Sequence, residues 1–143
     1  MSQRLLTHSS SEAETVAAGR HLAEMLSRGD VVLISGPLGA GKTAFVRGLA
    51  EGLGAASGDV SSPTFTLIQQ YAGRLPLFHA DLYRLNEAEA ADLGLEETGE
   101  DGVLAVEWPD RWTHTPVHAW HVAIADDGGD ERTIVQVRTY STR

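Results

Sequence analysis

Val31-Val32-Leu33-Ile34 is an unbroken run of β-branched and aliphatic residues, the pattern of a strand buried on both faces. Upstream of it, Val16, Gly19, Ala23 and Leu26 recur at helical spacing. Two serine–glutamate pairs precede that run at capping-box spacing, Ser9 with Glu12 and Ser11 with Glu14, and Gly29 marks the predicted end of the helix. Downstream, a glycine-rich turn leads into a second predicted helix in which Phe45, Leu49 and Leu53 recur every fourth residue. Residues 64–71 and 75–82 read as two strands joined in a hairpin at Gly73-Arg74, and residues 86–92 as a short acidic helix. Val103-Leu104-Ala105-Val106 repeats the pattern of a buried strand. Trp120, Val122 and Ile124 alternate, as do Val135 and Val137, with Asp127-Gly128-Gly129-Asp130 as the turn between them. Strands interleaved with helices in this order predict an α/β fold with a mixed sheet.

Composition narrows this picture. The 143 residues fit one domain, 1–143, large enough for a real core, and 42% hydrophobic with 22% charged residues is the balance of a soluble globular chain. No apolar run approaches the roughly 20 residues of a membrane span, and Met1-Ser2-Gln3-Arg4-Leu5-Leu6 lacks the apolar centre of a secretory signal. A cytoplasmic protein without membrane contact is expected. The absence of cysteine excludes disulfides, thiol catalysis and thiolate zinc sites.

Charge adds a restriction on partners. Eleven basic against 20 acidic residues leave a net charge of −9. The acids gather at Glu87, Glu89, Asp92, Glu96, Glu97, Glu100 and Asp101, and again at Asp126, Asp127, Asp130 and Glu131. These are solvated faces or a docking surface for a basic partner. Neither favours a direct grip on RNA, which needs cations to displace counterions from phosphates.

The strongest chemical signal is Gly36-Pro37-Leu38-Gly39-Ala40-Gly41-Lys42-Thr43, which fits G-x-x-x-x-G-K-[ST] at every defined position, after a buried strand and before a helix. Glycines let successive backbone N–H groups point at phosphate oxygens, and the helix N-terminus behind them favours an anion. The expected nucleotide contacts are Gly36, Leu38, Gly39, Ala40, Gly41, Lys42, Thr43 and Ala44. Lys42 would reach the β- and γ-phosphates, and the Thr43 hydroxyl would ligate Mg²⁺. Lys42 is also the only lysine of the chain, beside ten arginines. A compact ammonium on a thin stem suits the loop where a planar guanidinium does not.

Two acids end apolar strands, Asp81 in His79-Ala80-Asp81 and Glu107 in Val103-Leu104-Ala105-Val106-Glu107-Trp108. Ligands of open α/β sheets gather beyond the carboxyl ends of the strands, so both acids are candidates for the same Mg²⁺ or for orienting the attacking water. His79 shares a strand face with Asp81 and is either a support for the metal site or a packed core histidine. Ser61-Ser62-Pro63-Thr64-Phe65-Thr66 occupies the place of a nucleotide-sensing switch.

ATP is favoured over GTP, because no second lysine exists to build an Asn-Lys-x-Asp guanine reader. No compact arginine-rich lid of a small-molecule kinase is visible, although Arg84 and Arg111 are available, and the Ser-Gly-Gly signature of ABC-type ATPases is absent. His114, His118 and His121 flank Pro116, and one strand face cannot present all three to a metal. Trp112 and Trp120 are expected in the core or at an edge rather than as a platform for bases.

The phosphate loop, Ser62-Pro63-Thr64-Phe65-Thr66-Leu67, His79-Ala80-Asp81-Leu82-Tyr83-Arg84-Leu85 and Val106-Glu107-Trp108-Pro109 together resemble the TsaE (YjeE) family of bacterial ATPases. The loop is generic; the other three segments in this order are specific. The resemblance implies a P-loop NTPase-like, three-layer α/β domain with a mixed parallel/antiparallel central sheet flanked by helices. It implies ATP and Mg²⁺ as cofactors, and a role in forming threonylcarbamoyladenosine beside the tRNA anticodon. The implied partner is the TsaD–TsaB heterodimer, which carries the transfer chemistry, so that tRNA is met only indirectly, as the −9 charge favours.

By position, the resemblance makes Thr43 and Glu107 Mg²⁺ ligands and Asp81 the acid that positions water or metal. Thr64 and Thr66 become the switch, Trp108 the aromatic beside the metal, and Thr15 a neighbour of the adenine. Arg132 is a further candidate nucleotide contact. Pro37 departs from the acidic or small polar residue common there, at a position the loop leaves undefined. Two alternatives stay open: a small-molecule kinase, and an adaptor in which nucleotide binding rather than hydrolysis matters.

Overall fold

The computed structural model describes residues 2–55 and 68–139. Its strands are β1 (Ser2–Ser9), β2 (Val31–Ser35), β3 (Ile68–Tyr71), β4 (Leu77–Asp81), β5 (Val103–Glu107), β6 (Trp120–Gly128) and β7 (Glu131–Thr139). Its helices are α1 (Glu12–Ala23), α2 (Lys42–Gly52), α3 (Glu87–Ala91) and α4 (Leu95–Thr98), with 3-10 turns at Gly99–Asp101 and Pro109–Arg111. The strands form one mixed sheet in the order β1-β7-β6-β2-β5-β4-β3. β6, β2, β5 and β4 run parallel, whereas β3 is antiparallel to β4, and β7 is antiparallel to β6 and β1.

Continuous apolar runs are required at the centre because helices cover both faces of β2 and β5. Val32, Ile34, Val103 and Ala105 point to α1 and α2, joining Leu22, Phe45, Leu49 and Trp120. Val31, Leu33, Leu104 and Val106 point the other way, to Ala90 of α3, Leu95 of α4 and Trp112. Trp112 and Trp120 are both buried core residues.

α1 and α2 pack backbone against backbone. A Cβ on Gly48 would stand 2.0 Å from the Val16 carbonyl oxygen, and one on Gly19 would stand 2.1 Å from that of Phe45. This closeness draws the start of α2 and the loop before it against α1.

The structure departs from the sequence expectations at identifiable points. α1 stops at Ala23 rather than at Gly29, because the Asp30 carboxylate accepts the Ser27 N–H at 2.8 Å and Gly29, at φ 91°, turns the chain into β2. Ser11 alone caps α1, accepting from the Glu14 N–H, while Ser9 is buried against the Thr15 hydroxyl at 2.8 Å. β1 was not expected; its alternating half-exposed pattern is that of an edge strand, and it pairs with β7 along eight residues. The acidic helix forms as α3 with a complete Asn86–Glu89 capping box. Residues 64–67 of the predicted strand 64–71, and the expected switch at 61–66, lie outside the described residues.

Candidate functional site

Three parallel strands end together beside the start of α2. The register pairs Asp81 with Glu107 and Ile34 with Glu107, so the ends of β4, β5 and β2 lie side by side. The turn after β2 leads directly into α2, whose N-cap is Gly41 at φ 102°. Gly39 is also left-handed at φ 77°, and these two conformations bend the backbone around the loop without a side-chain penalty. A cleft of about 430 Å³ opens above the strand ends. It falls within the roughly 300–1,000 Å³ typical of small-molecule sites.

Lys42 is buried, and its Nζ donates to the carbonyls of Gly36 and Pro37 at 2.8 Å each. The Trp108 ring lies 4.5 Å from that ammonium, and the ring of Tyr83 stacks at a tilt 4.9 Å from Trp108. Trp108 has φ 59°, the only left-handed non-glycine backbone among the described residues, a strain of the kind that concentrates at functional sites. Its N–H still donates to the Ile34 carbonyl at 3.3 Å, which anchors the strained turn to β2.

Glu107 is buried at the end of β5. Its Oε2 accepts from the Thr43 hydroxyl at 3.2 Å and from His79 Nε2 at 2.6 Å. Asp81 stands on the neighbouring strand end, its carboxylate accepting the Tyr83 N–H at 3.0 Å. Burial lowers the Lys42 ammonium from its ordinary range, while Glu107 and Asp81 pull it back up. Burial raises the Asp81 carboxyl above the usual aspartate value and Glu107 adds to the rise; the Tyr83 N–H, His79 and Lys42 oppose it. A hydroxyl and two carboxylates are hard oxygen donors suited to Mg²⁺, and the buried Lys42 offers a positive charge suited to phosphate. Among the described residues no three histidines, aspartates or glutamates gather into a metal cluster, His114, His118 and His121 included.

Arg132 of β7 lines the cleft and reaches across to the loop. Its Nε donates to the Ala40 carbonyl at 3.1 Å, and its Nη1 to the carbonyls of Gly129 and Glu131 at 2.8 Å each. It thereby ties the β6–β7 turn to the glycine-rich loop. Arg132→Ala is expected to weaken nucleotide affinity about tenfold, the equivalent of one charged hydrogen bond of about 1.5 kcal/mol, measured by titration calorimetry.

Most of the expected site residues converge. Thr15, Leu38, Gly39, Ala40, Gly41, Lys42, Thr43, Ala44, Asp81, Glu107 and Trp108 all line the cleft. Gly36 acts behind it, its carbonyl receiving Lys42. A Cβ at Gly36 would meet the Ile124 carbonyl oxygen at 2.6 Å, so the loop leaves β2 flush against β6. Thr15 contributes its methyl side, since its hydroxyl is bound to Ser9. Thr64 and Thr66 lie outside the described residues. Ser11, Glu12, Arg47, Tyr83 and Asp130 also line the cleft and were not anticipated. Arg47 was legible in principle, standing one helical turn after Thr43, and it pairs with Glu12 of α1 at 2.6 Å.

Fold and site define a mixed-sheet α/β domain of the strand–loop–helix type, with acids on the ends of the next two strands, β5 and β4, on one side of the loop. The chain belongs to the TsaE family: the family model described as threonylcarbamoyl adenosine biosynthesis protein TsaE matches residues 9–134. Relatives named tRNA threonylcarbamoyladenosine biosynthesis protein TsaE include that of Synechocystis, 48% identical over 68% of this chain and 66% of its own length. That of Nostoc is 45% identical over 71% of this chain and 66% of its own length, and that of Bacillus subtilis 45% identical over 85% and 77%. The match thus spans just under two thirds of the cyanobacterial relatives. The crystal structure of Bacillus subtilis YdiB superposes with a TM-score of 0.79 at 35% identity, covering 98% of this chain and 88% of that one.

Proposed function

We propose that this chain is a Mg²⁺-dependent ATPase that serves tRNA threonylcarbamoyladenosine formation in the cytoplasm, acting through a TsaD–TsaB heterodimer. The observation that carries the reading is the meeting of Lys42, Thr43, Asp81 and Glu107 where a glycine-rich loop opens α2. The loop N–H groups and Lys42 bind the phosphates and stabilise charge that develops on the γ-phosphoryl group. Thr43 and Glu107, with Asp81 beside them, would hold Mg²⁺, which supplies charge neutralisation at the phosphates. Asp81 orients the attacking water or the cation, and Trp108 walls the site beside Lys42. Family membership supports the tRNA role, and the −9 charge favours reaching tRNA through a protein partner. Among the described residues no helix is long and apolar enough to cross a membrane.

The test is ATP turnover with and without the TsaD–TsaB pair, alongside tRNA modification in cell extract. Stimulation by the pair is expected, together with loss of modification in Asp81→Ala and Glu107→Ala proteins that still bind ATP. Turnover that appears only with a hydroxyl acceptor would make the chain a kinase. Full modification by either variant would make it a nucleotide-gated adaptor.

A further inference from the structure

His79 has no exposed surface, and it lies in the middle of β4 among core residues. A buried histidine is costly unless both ring nitrogens are satisfied. Here Nδ1 is buried without a hydrogen-bond partner among the described residues, while Nε2 sits 2.6 Å from Glu107 Oε2. A carboxylate only accepts, so Nε2 carries the proton and donates it. The ring's polar chemistry is directed at one oxygen of one residue.

That oxygen is also the nearer acceptor of the Thr43 hydroxyl, at 3.2 Å against 3.5 Å for Oε1. His79 thus pins Oε2 from beneath the cleft, and Oε1 is left as the less engaged oxygen of the carboxylate. The strand register makes this geometry rigid. His79 pairs with Ala105 and Asp81 with Glu107, so one β4 face carries both the pin and the second acid, two residues apart. The register partner of His79 on β5 is Ala105, a small residue two positions before Glu107.

We infer that His79 is a positioning residue: its Nε2–H fixes the Glu107 carboxylate in the orientation that receives Mg²⁺ with the nucleotide. The inference rests on the Mg²⁺-nucleotide reading of this site. Hydrogen-bond partners that orient metal ligands change metal affinity about 10–100-fold when removed.

The experiment is calorimetric titration of ADP into the full chain, in EDTA and over a range of MgCl₂ concentrations, for wild type, His79→Leu and His79→Gln. Leucine fills the space without a donor, and glutamine returns an N–H near the position of Nε2. His79→Leu is expected to need at least about tenfold more MgCl₂ for half of the Mg²⁺-dependent gain in ADP affinity. Its affinity in EDTA should stay within about twofold of wild type, and His79→Gln should recover most of the Mg²⁺ response. An unchanged MgCl₂ midpoint in His79→Leu overturns the inference. So does an equal loss in EDTA, or an equal loss in both variants, because each would mark a purely structural role. Should His79→Leu fail to fold, a folded His79→Gln with no Mg²⁺ response overturns it as well, and one that responds supports it. Wild-type protein whose ADP affinity ignores MgCl₂ would overturn the underlying reading instead, a result that needs no variant to recognise.

Discussion

Lys42→Arg is expected to lower ATP affinity about a hundredfold although the positive charge is kept. The ammonium lies between two loop carbonyls at 2.8 Å, with the Trp108 ring at 4.5 Å and 5% of the residue exposed. A guanidinium is planar and larger, and needs acceptors in its own plane. Inserting it would push apart the loop or displace Trp108, and such overpacking costs about 3 kcal/mol, equivalent to about a hundredfold in affinity. If charge alone mattered, arginine would bind as well as lysine. Calorimetric titration of ATP into both proteins distinguishes these cases, and a thermal melt without nucleotide shows whether the loss is confined to the site. The chain's composition agrees, since arginine fills every other cationic position.

The second large effect is structural. Gly48→Ala is expected to destabilise the fold by about 4 kcal/mol or more, at the upper end for single substitutions. Helix propensity argues the other way, since alanine in a helix interior is worth about 1 kcal/mol over glycine. Contact distance decides between them. The added carbon would stand 2.0 Å from the Val16 carbonyl oxygen and 2.8 Å from the Arg20 nitrogen, both backbone atoms of α1. Backbone cannot swing aside as a side chain can, and Gly19 opposite is equally tight against Phe45. The helices would have to separate and open the apolar layer of Leu22, Phe45 and Leu49. Urea denaturation should show the midpoint falling sharply; a rise would mean that propensity outweighs the close approach.

The parts of the fold that announced themselves were those whose periodicity has one reading. The runs 31–34 and 103–106 carry aliphatic residues on both faces, and they became the two central parallel strands. β1 was silent because an edge strand buries only every second residue, and Ser2–Ser9 alternates between exposed and half-buried without a continuous apolar face. The loop and both strand-end acids were legible, since a motif of fixed spacing and acids at strand ends carry their placement with them. Arg132, Arg47 and Tyr83 were harder to place. Their contribution depends on which strands become neighbours, and β6 beside β2 brings residues far apart in sequence against the loop. The same holds for His79: the sequence put it beside Asp81, but only the register of β4 on β5 aims it at Glu107.

The bond from Arg132 to Ala40 spans 92 residues. During synthesis the glycine-rich loop therefore leaves the ribosome long before the strand that braces it. β1 waits on the same strand, since β7 is its neighbour in the sheet and it has no other among the described residues. A growing chain ending before β7 would carry the whole phosphate motif and both strand-end acids, yet neither the brace nor the edge strand would be in place. On that order of synthesis the loop gains its brace and β1 its neighbour in a single late step, when β7 joins the sheet.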